Sequence, residues 1–205
     1  MLFIAEGAIV TLKYSVISVI FGLVIGTLLA LLKTSKYKSL RIAGDVYTSI
    51  FRGTPLLIQL MIIYYGLPNI GIKLGVFAAG VIAFSLNSGA YVSEIIRSGI
   101  NSVDHGQFEA AKALGIPTRL TMKDIILPQA IRKILPSLIN ELINLLKESA
   151  IISILGEMDL MRRAQMVASE SFIFFTPFIT ATICYYLLVV SFTYLARILE
   201  KRMEI

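Results

Sequence analysis

Five apolar stretches dominate this sequence, at about Gly7 to Leu32, Val46 to Gly66, Gly75 to Ile96, Ile131 to Leu155 and Phe172 to Leu195. A hydrocarbon layer about 30 Å thick offers no partner to a bare backbone amide, so stretches of this kind cross it as helices. The composition agrees. Hydrophobic residues make up 57% of the chain and its mean hydropathy is +0.81, far above a soluble domain. The expected fold is an all-α integral membrane protein with five transmembrane helices, forming one domain over residues 1–205. The first stretch has no small-residue cleavage site, so it reads as a span and not as a signal peptide. Lys13 near its outer end can snorkel.

The net charge of +6 follows membrane topology and not nucleic acid. Lys33, Lys36, Lys38, Arg41 and Arg52 follow the first span. Arg97, Lys112, Arg119, Lys123, Arg132 and Lys133 lie between the third and fourth, and Arg197, Lys201 and Arg202 close the chain. The opposite side holds only Lys73, Arg162 and Arg163 outside the apolar stretches. The positive-inside rule therefore places the N-terminus outside and the C-terminus in the cytoplasm. A single Cys184 cannot form an internal disulfide, and a single His105 has no neighbour with which to hold a metal. No cluster resembles a catalytic constellation. An ion-coupled carrier would need a coupling-ion site and usually more spans, often as inverted repeats, and no repeat is visible.

Between the third and fourth spans lies a polar, helix-forming island, Glu109 to Pro128. Asp104 is a good N-cap, and Gln107 three residues on completes a capping-box pattern. Phe108 to Leu114 favour helix. Gly115 can take the left-handed conformation that ends one, and Pro117 blocks continuation. A second short helix is expected from about Arg119 to Ile126, and Leu127-Pro128 opens the next apolar stretch. The positive-inside orientation puts this island in the cytoplasm.

Glu109, Ala110, Ala111, Gly115, Ile125, Leu127 and Pro128 fall at the spacing of a known signature. The chain resembles the permease subunits of bacterial ABC importers that carry the EAA loop. Arg52-Gly53-Thr54-Pro55-Leu56-Leu57 and Asn87-Ser88-Gly89-Ala90-Tyr91 resemble its polar amino-acid branch. The resemblance implies a transport subunit of the bacterial cell membrane, not an enzyme and without a cofactor. It implies two ATPase subunits per complex, a second permease subunit (identical or not), and an extracytoplasmic amino-acid-binding protein. Phe108, Glu109, Ala110, Ala111, Leu114 and Gly115 would then couple to the ATPase. No Gly-x-x-x-x-Gly-Lys-Ser/Thr stretch is present, so ATP hydrolysis is expected on that separate subunit.

Polar groups inside the membrane are candidate substrate contacts. Asn87, Tyr91, Glu94 and Ser98 share one helix face. Asn87 lies roughly 18 Å along its helix from Gly75. Ser88 stands beside it. The structural alternative for Glu94 is a pair with Arg97 at i+3. The fourth stretch carries Asn140, Glu141, Asn144, Lys147, Glu148 and Ser149, so its helix must be internal or line a cavity. Glu141 is expected to pair with a base near the cytoplasmic end. Glu148 and Ser149 are candidate contacts, with an inter-helical network as the alternative. Asp159 is a candidate contact at the outer mouth, and a helix cap otherwise. Glu94, Glu148 and Asp159 together favour a basic amino acid. Gly22, Gly26 and Ala30 form a small-residue stripe expected to pack helices. From Pro55 to Gly66 the second stretch is too short to span, so a kinked helix continuing back through Gly53 is expected. The alternative is a half-helix capped by Thr54, whose N-terminus would hold a carboxylate.

Overall fold

The computed structural model describes residues 1–202 of the chain, so the last three residues of the expected domain lie outside it. Every regular element among the described residues is helical. The chain opens with α1 (Leu2–Ala5) and α2 (Gly7–Lys33), then α3 (Lys38–Gly53) and α4 (Leu56–Met61). A π-helical turn, Ile62–Gly66, and a 3-10 turn, Leu67–Ile70, lead to α5 (Val76–Asn101). Next come α6 (His105–Ala113), α7 (Thr118–Leu120) and a second π segment, Thr121–Ile126, which runs into α8 (Leu127–Glu148). A 3-10 segment, Ser149–Leu155, then α9 (Leu160–Ser171) and α10 (Phe175–Arg202) follow.

Among the described residues three helices are long and apolar enough to cross a membrane, Leu2–Lys33, Val76–Asn101 and Phe175–Lys201, and α3 with α4 makes a fourth if a bent pair counts as one. α8 has 22 residues, about 33 Å of helix. Its many polar side chains keep it from qualifying by composition.

α2 and α5 run side by side in the same direction. Tyr14 meets Phe84 edge-on at 5.8 Å toward one end, and Lys33 reaches Glu94 at the other. Small residues close the seam between them. A Cβ on Gly22 would stand 2.8 Å from Ser88 Oγ, and one on Gly26 would stand 2.6 Å from Val92. A larger side chain at either place must push the helices apart. α8 crosses the same face of α5 in the opposite direction. Ile134 lies against Gly99, and Leu145 joins Tyr14, Leu60, Phe84 and Ile152 in the central core. α10 is held by Ala181 against Ile4, Leu160 and Ala164, and is otherwise almost uncovered by the rest of the chain.

The second stretch departs from the expected kinked helix. Its halves meet at 105° across Thr54 and Pro55. A proline disfavours helical backbone in the residue before it, and Thr54 is extended, with φ −123° and ψ 146°. Nor does Thr54 cap α4. Its hydroxyl turns back and donates to the Ile50 carbonyl at 2.8 Å.

Candidate functional site

The break leaves the last carbonyls of α3 without helical partners in a part-buried place, where an orphan carbonyl costs free energy. Two side-chain amides fill the gap. Gln59 Nε2 donates to the carbonyls of Phe51 and Thr54, at 2.9 and 3.0 Å, and to Thr54 Oγ1 at 2.9 Å. Asn87 Nδ2 donates to the Phe51 carbonyl and to Gln59 Oε1, both at 3.0 Å. Both residues are buried. Tyr47 adds a hydroxyl bond to the Leu86 carbonyl at 2.9 Å. α5 therefore holds the corner of the broken helix through Asn87. The nitrogen of the amide expected to face a solute is engaged by a backbone carbonyl and by Gln59.

Farther along α5, Glu94 joins three helices. Its Oε1 accepts from Lys33 Nζ on α2, and its Oε2 accepts from Arg97 Nη2 at 2.8 Å. Lys33 also donates to Thr48 Oγ1 at 2.7 Å and stands 3.4 Å from Asp45, both on α3. Only 5% of the Lys33 side chain is exposed. A buried ammonium needs such a partner. The alternative pairing of Glu94 with Arg97 is present, and Lys33 is a second partner that the sequence reading placed only in a basic loop.

These elements wall a cavity of about 510 Å³, lined by Arg52, Tyr91, Glu94, Ile95, Ser98, Gly99, Ser102, Lys133 and Ser137. α5 supplies Tyr91, Glu94 and Ser98 at helical spacing, α8 supplies Lys133 and Ser137, and Arg52 comes from the last turn of α3. Arg52 lies over the Tyr91 ring, 5.3 Å from its centroid. Lys133 Nζ donates to the Ser102 carbonyl. Of the candidate contacts, the cavity collects Tyr91 and Glu94 but not Asn87, Ser88, Glu148, Ser149 or Asp159. Ser88 is fully buried at the α2 seam, and its hydroxyl lacks a well-formed hydrogen bond. Ser149 is buried and donates to the Leu146 carbonyl at 2.8 Å. Glu148 stays exposed on the chain, as do Asn140, Asn144 and Lys147.

One expectation changes, and another resolves in favour of the helix cap. Glu141 pairs with no base among the described residues. With Ile134 against Gly99, it lies about two turns deeper, buried and facing Ser88. Asp159 caps α9 by accepting from the Arg162 amide at 2.8 Å, and Tyr185 donates to its other oxygen at 3.4 Å. It is fully buried. That burial pushes its carboxyl up to about 6, against the pull of those hydrogen bonds. The residues missed by sequence reasoning are Gln59, Lys33, Lys133 and Ser137. A lone amide in the apolar run Leu56 to Met61 was the signal for the first.

The polar island folds nearly as read. Asp104 caps α6 by accepting from the Gly106 amide at 2.7 Å. No bond from the Gln107 side chain completes a capping box among the described residues. Gly115 has φ +70°, and the Ile116 amide reaches back to the Ala111 carbonyl at 3.0 Å, which closes the helix with a left-handed turn. Phe108 and Ala111 face inward, Phe108 against the cluster of Val103, Ile126, Ala130 and Ile134. Glu109, Ala110 and Leu114 face out, and Leu114 is 77% exposed. The second short helix, expected from about Arg119 to Ile126, is formed by α7 and the π-helical segment 121–126 that continues it.

A protein of Rickettsia bellii (strain RML369-C), provisionally named glutamine transport system permease protein GlnP, is 68% identical over 203 residues, covering 98% of this chain and 93% of the relative. The arginine transport system permease protein ArtQ of Bacillus subtilis (strain 168) is 49% identical over 203 residues, again covering 98% of this chain and 93% of its own. Among solved structures, a chain of an amino acid ABC transporter crystallised with histidines superposes with a TM-score of 0.94 at 43% identity, covering 98% of this chain and 94% of that one. Residues 22–205 match the family described as binding-protein-dependent transport system inner membrane component. That match runs from the middle of α2 to residue 205, well over half of the chain, and the chain belongs to this family of ABC transporter permeases.

Proposed function

We propose that this chain is the permease subunit of an ATP-driven importer for a polar amino acid, and that its solute path follows the cavity between α3, α5 and α8. The chain is a multi-pass membrane protein and a transport subunit, not an enzyme. One observation carries the path: the α5 stripe of Tyr91, Glu94 and Ser98 and the α8 positions Lys133 and Ser137 wall one cavity. Its volume suits a small zwitterion. A polar amino acid is supported by the names of GlnP and ArtQ and by the transporter crystallised with histidines. A basic one draws support from ArtQ, but not from Glu94, which Lys33 and Arg97 already neutralise.

In this reading residues 1–205 form one permease domain with five spans, the bent α3–α4 pair and the polar α8 included. The N-terminus is outside, and α6 lies in the cytoplasm as the coupling helix. Glu109, Ala110 and Leu114 are its outward contacts with the ATPase, while Phe108, Ala111 and Gly115 fix its seat and its end. Two ATPase subunits, a second permease subunit and an extracytoplasmic binding protein complete the transporter. The exposed polar face of α8 supports a protein neighbour there, because lipid would not cover it. The path is tested by cysteine labelling. In a Cys184→Ala background, Ser98→Cys and Ser137→Cys in the assembled transporter should react with a water-soluble thiol reagent. Glutamine or arginine should slow that reaction. Unreactive thiols, or rates that neither amino acid changes, would place the path elsewhere.

A further inference from the structure

Resting on the reading of this cavity as the solute path, we infer that Arg52 receives the α-carboxylate of the transported amino acid. The charges around the cavity do not balance. Among the described residues Glu94 is the only acid on its wall, and its two oxygens are taken by Lys33 and Arg97. Lys133 is engaged by a backbone carbonyl. Neither Lys133 nor Arg52 has a carboxylate partner among the described residues, and of the two only Arg52 makes no hydrogen bond. Arg52 is exposed toward this cavity, and a guanidinium without a carboxylate partner presents a planar set of donors to an anion there.

A plainer account would have Arg52 cap the C-terminal end of α3, whose dipole favours a cation. The freed carbonyl of Phe51 is already bound by Gln59 and Asn87, and that of Thr54 by Gln59. Arg52 is therefore not required to satisfy them. Its guanidinium instead rests on the Tyr91 face. Stacking holds the plane and leaves the donor edges open, and a planar carboxylate matches such a fork with two parallel hydrogen bonds. Ser98 and Ser137, exposed on the same walls, can take the polar remainder of the ligand.

The chemistry of the site follows. The cavity recognises the carboxylate common to all amino acids and carries no free acid with which to read a cationic side chain. Neutral and cationic side chains are accepted alike at this point, and discrimination between them lies elsewhere in the transporter.

The test uses the assembled transporter in detergent and isothermal titration with two pairs of probes, arginine with its carboxamide and glutamine with its carboxamide. Wild type should bind each acid more tightly than its amide by on the order of tenfold or more, as for a charge-assisted hydrogen bond. Arg52→Gln should abolish most of that ratio, and Arg52→Lys should keep part of it. Affinity is read per competent site, so partial misfolding lowers the stoichiometry and not the ratio. An acid-to-amide ratio that survives in Arg52→Gln overturns the role of Arg52 while leaving the path intact. Wild type that binds neither acid overturns the path and this inference together. Titrations with inorganic phosphate, and in nanodiscs of zwitterionic or anionic lipid, separate the anion sources. Displacement of arginine by phosphate or anionic lipid, lost in Arg52→Gln, would assign the site to a phosphate group and refute the carboxylate.

Discussion

Asn87 shows how one side chain can decide whether a proline break is tolerable. It bonds the Phe51 carbonyl and orients Gln59, which bonds the rest of the corner. Asn87→Leu keeps the approximate volume and removes both bonds, stranding the Gln59 oxygen and leaving the Phe51 carbonyl to Gln59 alone. The cost should be on the order of 1–3 kcal/mol for the stranded oxygen. The measurement is the melting temperature of the purified transporter, which should fall in Asn87→Leu and recover in part in Asn87→Gln. An unchanged melting temperature would mean that water or a relaxed backbone fills the role. The spacing of Asn87, Tyr91, Glu94 and Ser98 was legible, because a helix face follows from periodicity alone. The use of each was not. Lys33 and Glu94 are 61 positions apart, so nothing local marks them as partners, and Lys33 reads as one more basic residue at the end of a span. Gln59 reads as a tolerated polar group among leucines until the 105° bend supplies the carbonyls it serves.

Elements divide by whether local or distant contacts define them. α2, α5 and α10 are legible because hydropathy and length suffice, and the Gly22–Gly26 stripe correctly marks the side of α2 that meets α5. α6 is legible because its cap and its terminal glycine are local devices. The end of α6 gives the prediction at this scale. Gly115 holds φ +70°, which a β-branched residue resists. Gly115→Val should unwind the end of α6 and shift Leu114. ATP hydrolysis by the assembled transporter should then no longer be stimulated by substrate, or assembly with the ATPase should weaken. Membrane insertion should be unaffected. Normal stimulated hydrolysis together with normal assembly would show that this helix end is not part of the coupling. The α3–α4 pair was misread for the opposite reason. Pro55 announces a break, but its angle is set by what α5 offers to bond. The Thr121–Ile126 π segment is likewise invisible to propensity, since an extra residue in a turn is a matter of register against neighbouring helices.

For the whole molecule, the sequence has no phosphate-binding loop and the chain belongs to a family of transport subunits. Purified and reconstituted alone, it should hydrolyse no ATP and should accumulate no amino acid against a gradient, as measured by phosphate release and radiolabel uptake in liposomes. Uptake driven by an ion gradient alone would overturn the proposed energy source. The exposed row on α8 bears on the life of the chain before any transport begins. Asn140, Asn144, Lys147 and Glu148 are all exposed on their own chain. A charged side chain meeting lipid at the centre of a bilayer costs about 2.5–3.5 kcal/mol even on the mildest scale. A copy released into the membrane without a companion is therefore a poorly solvated intermediate, short-lived and open to degradation. In the proposed assembly, covering that row against a second permease subunit is what lets a newly inserted copy persist.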